Sequence, residues 1–96
     1  MGPRKQVTAL AGQTFEVDTS VEACKEFGFR PNDRVRASNG MACTVVGVAP
    51  MPIESVCVKE GENMLWVAPD GRDDGRVCFF PDPTENLKKI VAVTVE

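Results

Sequence analysis

Valine outnumbers leucine and isoleucine together by 14 to 5 in this chain, and that imbalance limits the fold more than any other feature. A side chain branched at Cβ loses rotamer freedom against the preceding turn of a helix but packs well on a pleated, half-buried surface. The core is therefore expected to consist mainly of strands, and a helical bundle is disfavoured. The 96 residues, 43% of them apolar, suffice for one folded domain and leave no room for a second.

Charge and missing residue types narrow the function classes. Eleven basic against 14 acidic side chains leave a net charge of −3, which argues against a domain whose affinity comes from neutralising many phosphates. Residues 1–40 are nearly neutral, with six basic and five acidic side chains, while 41–96 carry five against nine. Histidine and tyrosine are absent, which removes the commonest general base and metal ligand and a phenolic acid. Catalysis, a metal and a cofactor are accordingly not expected. Asp70, Asp73 and Asp74 lack the spacing and closing glutamate of a calcium loop and read as a solvated hairpin tip. Cys24, Cys43, Cys57 and Cys78 form no C-x-x-C pair and read as four reduced thiols, small buried hydrophobes in an intracellular, cytoplasmic rather than nuclear protein. Two disulfides in a secreted domain are the alternative, against which stands the lack of an apolar signal segment at the N-terminus. No apolar run approaches the length of a membrane span.

Along the chain, residues 1–13 show no sustained period and read as a partly disordered leader to a single domain over 14–96. Phe15 and Val17 alternate with polar neighbours over Thr14 to Asp18, the pattern of a half-buried strand. Thr19 and Glu22 stand in the relation of a capping box, Val21, Cys24 and Phe27 share one helical face, and Gly28 suits a left-handed C-terminal cap. A helix over 19–27 follows. Beyond Pro31 the signals turn to strands: Arg34-Val35-Arg36, an Asn39-Gly40 hairpin turn, and an almost wholly apolar central strand from Met41 to Ala49 with a bend or bulge at Gly47. Ser55 to Lys59 and Met64 to Ala68 are expected to form a second hairpin about Gly61-Glu62-Asn63. Arg76 to Phe80, one helical turn after Pro83, and a last strand over Lys88 to Glu96 complete the pattern.

The stretch Asn32-Asp33-Arg34-Val35-Arg36, Asn39-Gly40 and Thr44-Val45-Val46-Gly47-Val48 resembles the first hairpin of the SH3-like barrel superfamily, as in KOW, tudor-like and MIB/HERC2 modules. Phe80-Pro81 and Asn86-Leu87-Lys88-Lys89-Ile90 are similar to the helical turn and closing strand that end many such barrels. The resemblance implies a mainly β protein: an SH3-like small barrel over 31–96 with a strand and helix at 14–30 as an N-terminal extension. It also implies a non-catalytic interaction module that binds a protein segment or another domain of its own full-length chain.

Five residues are candidates for that surface. Trp66 lies on the opposite strand face from Leu65 and Val67 and serves either as a surface anchor for a peptide or as a core residue. Phe79 and Phe80 are adjacent, so they point to opposite faces, and helix 19–27 is expected to cover one of them. Tudor modules read methylated side chains with an aromatic cage, which Trp66, Phe79, Phe80, Phe27 and Phe29 are the residues here able to supply. Arg34 and Arg36 form an alternating basic edge with Arg30, suited to an acidic peptide or, as the rival reading, to a nucleic acid.

Overall fold

The computed structural model describes residues 4–55 and 58–90. The elements among them are β1 (Arg4–Thr8), β2 (Thr14–Asp18), α1 (Val21–Lys25), β3 (Arg34–Ala37), β4 (Ala42–Pro50), β5 (Asn63–Pro69), β6 (Cys78–Phe79), α2 (Pro83–Asn86) and β7 (Leu87–Lys89). The protein is mainly β, as the valine excess requires, and its strands form one antiparallel sheet.

The long central strand organises the rest. Along one edge β4 pairs with β5 from Cys43↔Pro69 to Pro50↔Asn63. Its other edge is shared: β3 takes the first part, with Arg34 opposite Thr44, and β2 joins at Asp18↔Val48. Outside these lie β1 on β2, β7 on β3 and β6 on β5. The register of β4 and β5 shifts between Val45 and Gly47, the bend expected at this glycine. A Cβ on Gly47 would sit 2.5 Å from the Asp18 carbonyl oxygen, so the missing side chain is what lets β2 approach β4.

The ladder does not close into a barrel. Among the described residues, the β1 side and the segment before β6 meet at a single parallel bridge, Ala9↔Val77. Apolar side chains divide between the two faces. One cluster holds Cys24, Phe29, Val35, Cys43, Val45, Leu65, Val67 and Leu87, with Ala23, Phe27 and Phe80 packed against it. The second holds Val7, Val17, Ala49, Met51, Val58, Met64, Trp66 and Val77, with Phe15 and Phe79. Both faces of β5 are thus covered, which is why Met64-Leu65-Trp66-Val67 is apolar without alternation.

Several local expectations change. Residues 4–8, read as part of a leader, pair with β2 along their whole length, from Arg4↔Asp18 to Thr8↔Thr14. The helix is shorter than 19–27 and its cap is Ser20, whose Oγ accepts from the Ala23 N–H at 3.2 Å, in place of Thr19. Its other end is as expected: Gly28 at φ 85° lets the Phe29 N–H reach the Cys24 carbonyl and the Gly28 N–H the Lys25 carbonyl. Among the described residues the anticipated hairpin partner of β5 over Ser55 to Lys59 is not seen. The Ser55 N–H donates to the Val58 carbonyl at 2.8 Å, Val56 and Cys57 lie outside the described residues, and β5 pairs with β4. Phe80 packs in the same cluster as Cys24 of α1. Of the last strand, Leu87–Lys89 pairs with β3, and 91–96 lie outside the described residues. Cys24, Cys43 and Cys78 are unpaired thiols.

Candidate functional site

A cleft of about 200 Å³ opens on the Trp66 face of the sheet. Its floor is Trp66 and Phe79, which meet edge to face at 5.3 Å between ring centroids, and Phe15 packs on the indole at a tilt, 4.6 Å between centroids. Leu10 and Ile53 stand at the two lips, 42% and 47% exposed, large apolar side chains left open to solvent. Of the side chains lining the cleft, Gln13 alone carries a polar amide, and the rest are apolar or the Cys78 thiol.

Each lip is held by backbone bonds. The turn between β1 and β2 closes through Ala9 N–H to the Gln13 carbonyl, 2.7 Å, and is tied to the segment before β6 by Leu10 N–H to Val77 O, 3.1 Å, and Val77 N–H to Thr8 O, 2.9 Å. The Arg76 guanidinium donates to the Leu10 carbonyl at 3.2 Å. Opposite, the buried Met51 donates to the Glu62 carbonyl at 2.9 Å and accepts from the Gly61 N–H at 3.0 Å, which positions Pro52 and Ile53. A cleft with lips fixed beforehand loses little conformational freedom when a ligand enters.

Trp66 is not the exposed anchor that one sequence reading suggested. It is 2% exposed, and its Nε1–H donates to the Ala49 carbonyl at 3.1 Å. Its aromatic neighbours and its buried donor both require this placement, because an indole N–H without a partner inside the protein is costly. Trp66 and Phe79 come together in the cleft, and Phe80 faces the other cluster. Burial pushes the Cys78 thiol up to about 11, so the one sulfur in the cleft is a poor nucleophile at neutral pH. Burial likewise raises Cys24 to about 11 and lifts Cys43.

Arg34 and Arg36 lie elsewhere and are already engaged. Arg34 donates one N–H to Thr44 Oγ1 at 2.7 Å and both ends of its fork to Asp70, a pairing that spans β3, β4 and the end of β5. The hydrogen bond from Arg34 holds the Asp70 carboxyl below its usual value and raises the guanidinium in turn. Arg36 donates to the Gly40 carbonyl at 3.0 Å. Arg30 opens onto a separate cavity beside α1. The basic edge expected over Arg30 to Arg36 is therefore three side chains with three different surroundings.

Leu10 and Ile53 were invisible as site residues because one lies in the presumed leader and the other in a proline-bounded loop. The available signal was weak: a lone large apolar residue in each of two turn-rich stretches. Among the described residues no group of three potential ligands is placed to hold a metal ion, and no helix is long and apolar enough to cross a membrane. No family model, curated protein or solved structure matches the chain.

Proposed function

We propose that this chain is a non-catalytic interaction module that binds a segment of another protein through the Leu10–Ile53 cleft. The observation that carries the reading is the cleft itself: an apolar, preformed depression with two exposed aliphatic lips over an aromatic floor. Its volume suits one or two apolar side chains rather than a cofactor, since small-molecule sites run to about 300–1,000 Å³. Well-packed pockets that desolvate an inserted aromatic or other large side chain are where interfaces concentrate binding energy.

An SH3-like core is the architecture proposed for the part after residue 31. Three features support it: β3 pairs with both β4 and β7, a β4–β5–β6 meander follows, and α2 precedes the returning β7. Asn32, at φ 73°, adopts the left-handed conformation that the turn before β3 needs where related hairpins carry glycine. On this reading β1, β2 and α1 are the addition, and the turn that joins β1 to β2 builds one wall of the cleft.

The test is a titration, followed by amide NMR, with a panel of short peptides that each present a single Leu, Phe or Trp between polar residues. Binders are expected to shift Leu10, Ile53 and Phe79 and to lose affinity in Ile53→Asp, an exposed change that leaves the fold intact. If no member of the panel moves those three residues, or if Ile53→Asp binds as well as the parent, the reading is wrong.

A further inference from the structure

The corner between α1 and β7 gathers basic side chains that the apolar cleft does not use. Lys25 ends α1, Arg30 follows its glycine cap, and Lys89 arrives on β7; with Val21, Gly28 and Phe29 they line one open cavity of about 290 Å³. Gly28 contributes no side chain, and a Cβ there would meet nothing within 4 Å, so the space between Lys25 and Arg30 stays clear. Phe29 is buried and fixes the far wall, with the Lys89 ammonium 5.9 Å from its ring centroid.

One carboxylate faces this group. Asp33 lies 3.7 Å from Lys89 Nζ and accepts the Arg30 backbone N–H at 2.9 Å. Among the described residues the side chains of Lys25 and Arg30 have no hydrogen-bond or ion-pair partner. The acidic residues nearest in sequence, Glu22 in α1 and Glu26 at its C-cap, line a different cavity with Asp18. In a chain of net charge −3, three cations against one acid make this cavity a local reversal of sign. Val21, an aliphatic residue 51% exposed, forms its rim.

We propose that this cavity binds an acidic segment of another protein, with a carboxylate on the Arg30 fork between Lys25 and Lys89 and an apolar neighbour of that carboxylate on Val21. A guanidinium takes a carboxylate through two parallel hydrogen bonds, while ammonium groups act as point charges around it. The observations favour a peptide over a nucleic acid. A nucleic acid is held by many phosphate contacts along a track, and here the cations converge on a single cavity, with the acidic Asp70–Asp74 loop elsewhere on the same small domain. This site borders the Phe29 cluster, and the apolar cleft lies over the Trp66 cluster, so either can fail without the other.

The experiment is an amide NMR titration of the full chain at low salt with a peptide of Asp and Glu residues around one Leu. Three comparisons accompany it: the same peptide with Asn and Gln, an oligo-thymidine strand, and the acidic peptide against Lys25→Glu/Lys89→Glu and Val21→Ser. Shifts at Val21, Lys25, Arg30 and Lys89 are expected for the acidic peptide. Affinity is expected to drop about tenfold or more in the charge-reversed double variant and on moving to high salt, which screens exposed pairs. A smaller loss is expected in Val21→Ser, which keeps every charge. Both variants change exposed residues, and an otherwise unaltered spectrum certifies their fold. Equal binding of the Asn/Gln peptide, an absence of shifts at these residues, or tighter binding of the oligo-thymidine there would each overturn the proposal.

Discussion

Replacing Gly47 with alanine probes the place where β2 meets β4. The added Cβ would lie 2.5 Å from the Asp18 oxygen, 3.0 Å from its carbonyl carbon and 3.3 Å from the Thr19 Cα. All three are backbone atoms, so no side chain can rotate out of the way. Comfortable contact distances are about 3.5 Å, and β2 would have to withdraw by up to about 1 Å. Asp18↔Val48 is the one register pair joining the two strands, so that movement falls on the whole attachment. Overpacking of this kind costs about 1–3 kcal/mol. The stiffer unfolded chain of an alanine variant offsets about 0.4–1 kcal/mol, because Gly47 has no left-handed φ to forfeit. A net loss of about 1.3 kcal/mol is expected, which for a domain of this size lowers Tm by about 5–10 °C. Urea unfolding followed by Trp66 fluorescence and by far-UV circular dichroism is the assay, with a lower midpoint at unchanged slope as the expected result. Gly71→Ala is the control: it has open space around it and no positive φ, and should stay within about 0.5 kcal/mol of the parent. If Gly47→Ala is as stable as that control, β2 is not seated against Gly47 and the account of the bend is refuted.

Other expectations follow from the same interior. Trp66→Phe keeps an aromatic ring but removes the donor to Ala49 and some volume, and should cost about 2–3 kcal/mol in urea unfolding; a change below about 0.5 kcal/mol would mean that the indole bond does nothing for the fold. Hydrogen bonds from Arg34, Arg72 and the Ser20 backbone hold Asp70, Asp74 and Asp18 below the usual carboxylate value, with Asp74 at about 2. Depressed folded values stabilise the protein above the unfolded pKa of about 3.9 and cease to do so as pH falls through the folded ones. The urea midpoint should therefore decline from about pH 4 towards pH 2, less steeply in Arg34→Met, and a midpoint that rises on acidification would contradict these pairings. Cys24 and Cys78, at about 11, expose about one thiolate in a thousand at pH 8. Alkylation mapped by mass spectrometry should thus leave Cys24, Cys43 and Cys78 largely unmodified until the protein unfolds, and fast modification of any of them would show that its site is open.

Much of the fold could be read from local chemistry. Turns and caps declare themselves over three or four residues, so Asn39-Gly40, Gly28 and Gly47 each lie where their residue types demanded, and the helical turn after Pro83 falls in place at Pro83–Asn86. Pairing partners are a different matter, because they depend on residues far away in sequence. Arg4-Lys5-Gln6 carries no strand signal of its own and becomes β1 because β2 offers it a complete edge. Ser55 to Lys59 carries the alternation of a strand, yet β5 pairs with β4, whose longer apolar stretch matches it along seven residues. A run buried on both faces has no period to report, so the side on which Trp66 lay could not be derived from Met64-Leu65-Trp66-Val67. Of the candidate site, Phe79 and the aromatic floor were legible as residue types, and the lips were not, since Leu10 and Ile53 acquire their meaning from the strands that bring them together.

Because β5 serves both faces at once, its residues are committed in alternation to two separate interiors: Leu65 and Val67 to one, Met64 and Trp66 to the other. Loss or gain of a single residue within 63–69 would exchange the two sets, sending an indole into space shaped for valine and leaving both clusters wrong together. The connection over 51–62 is held by Met51 and Glu62 at its ends and by the buried Val58, and between these points it carries no ladder among the described residues. Length variation in descendants of this chain should therefore collect between β4 and β5, beside the Ile53 lip, where it can reshape what the cleft accepts without disturbing the wall that the two interiors share.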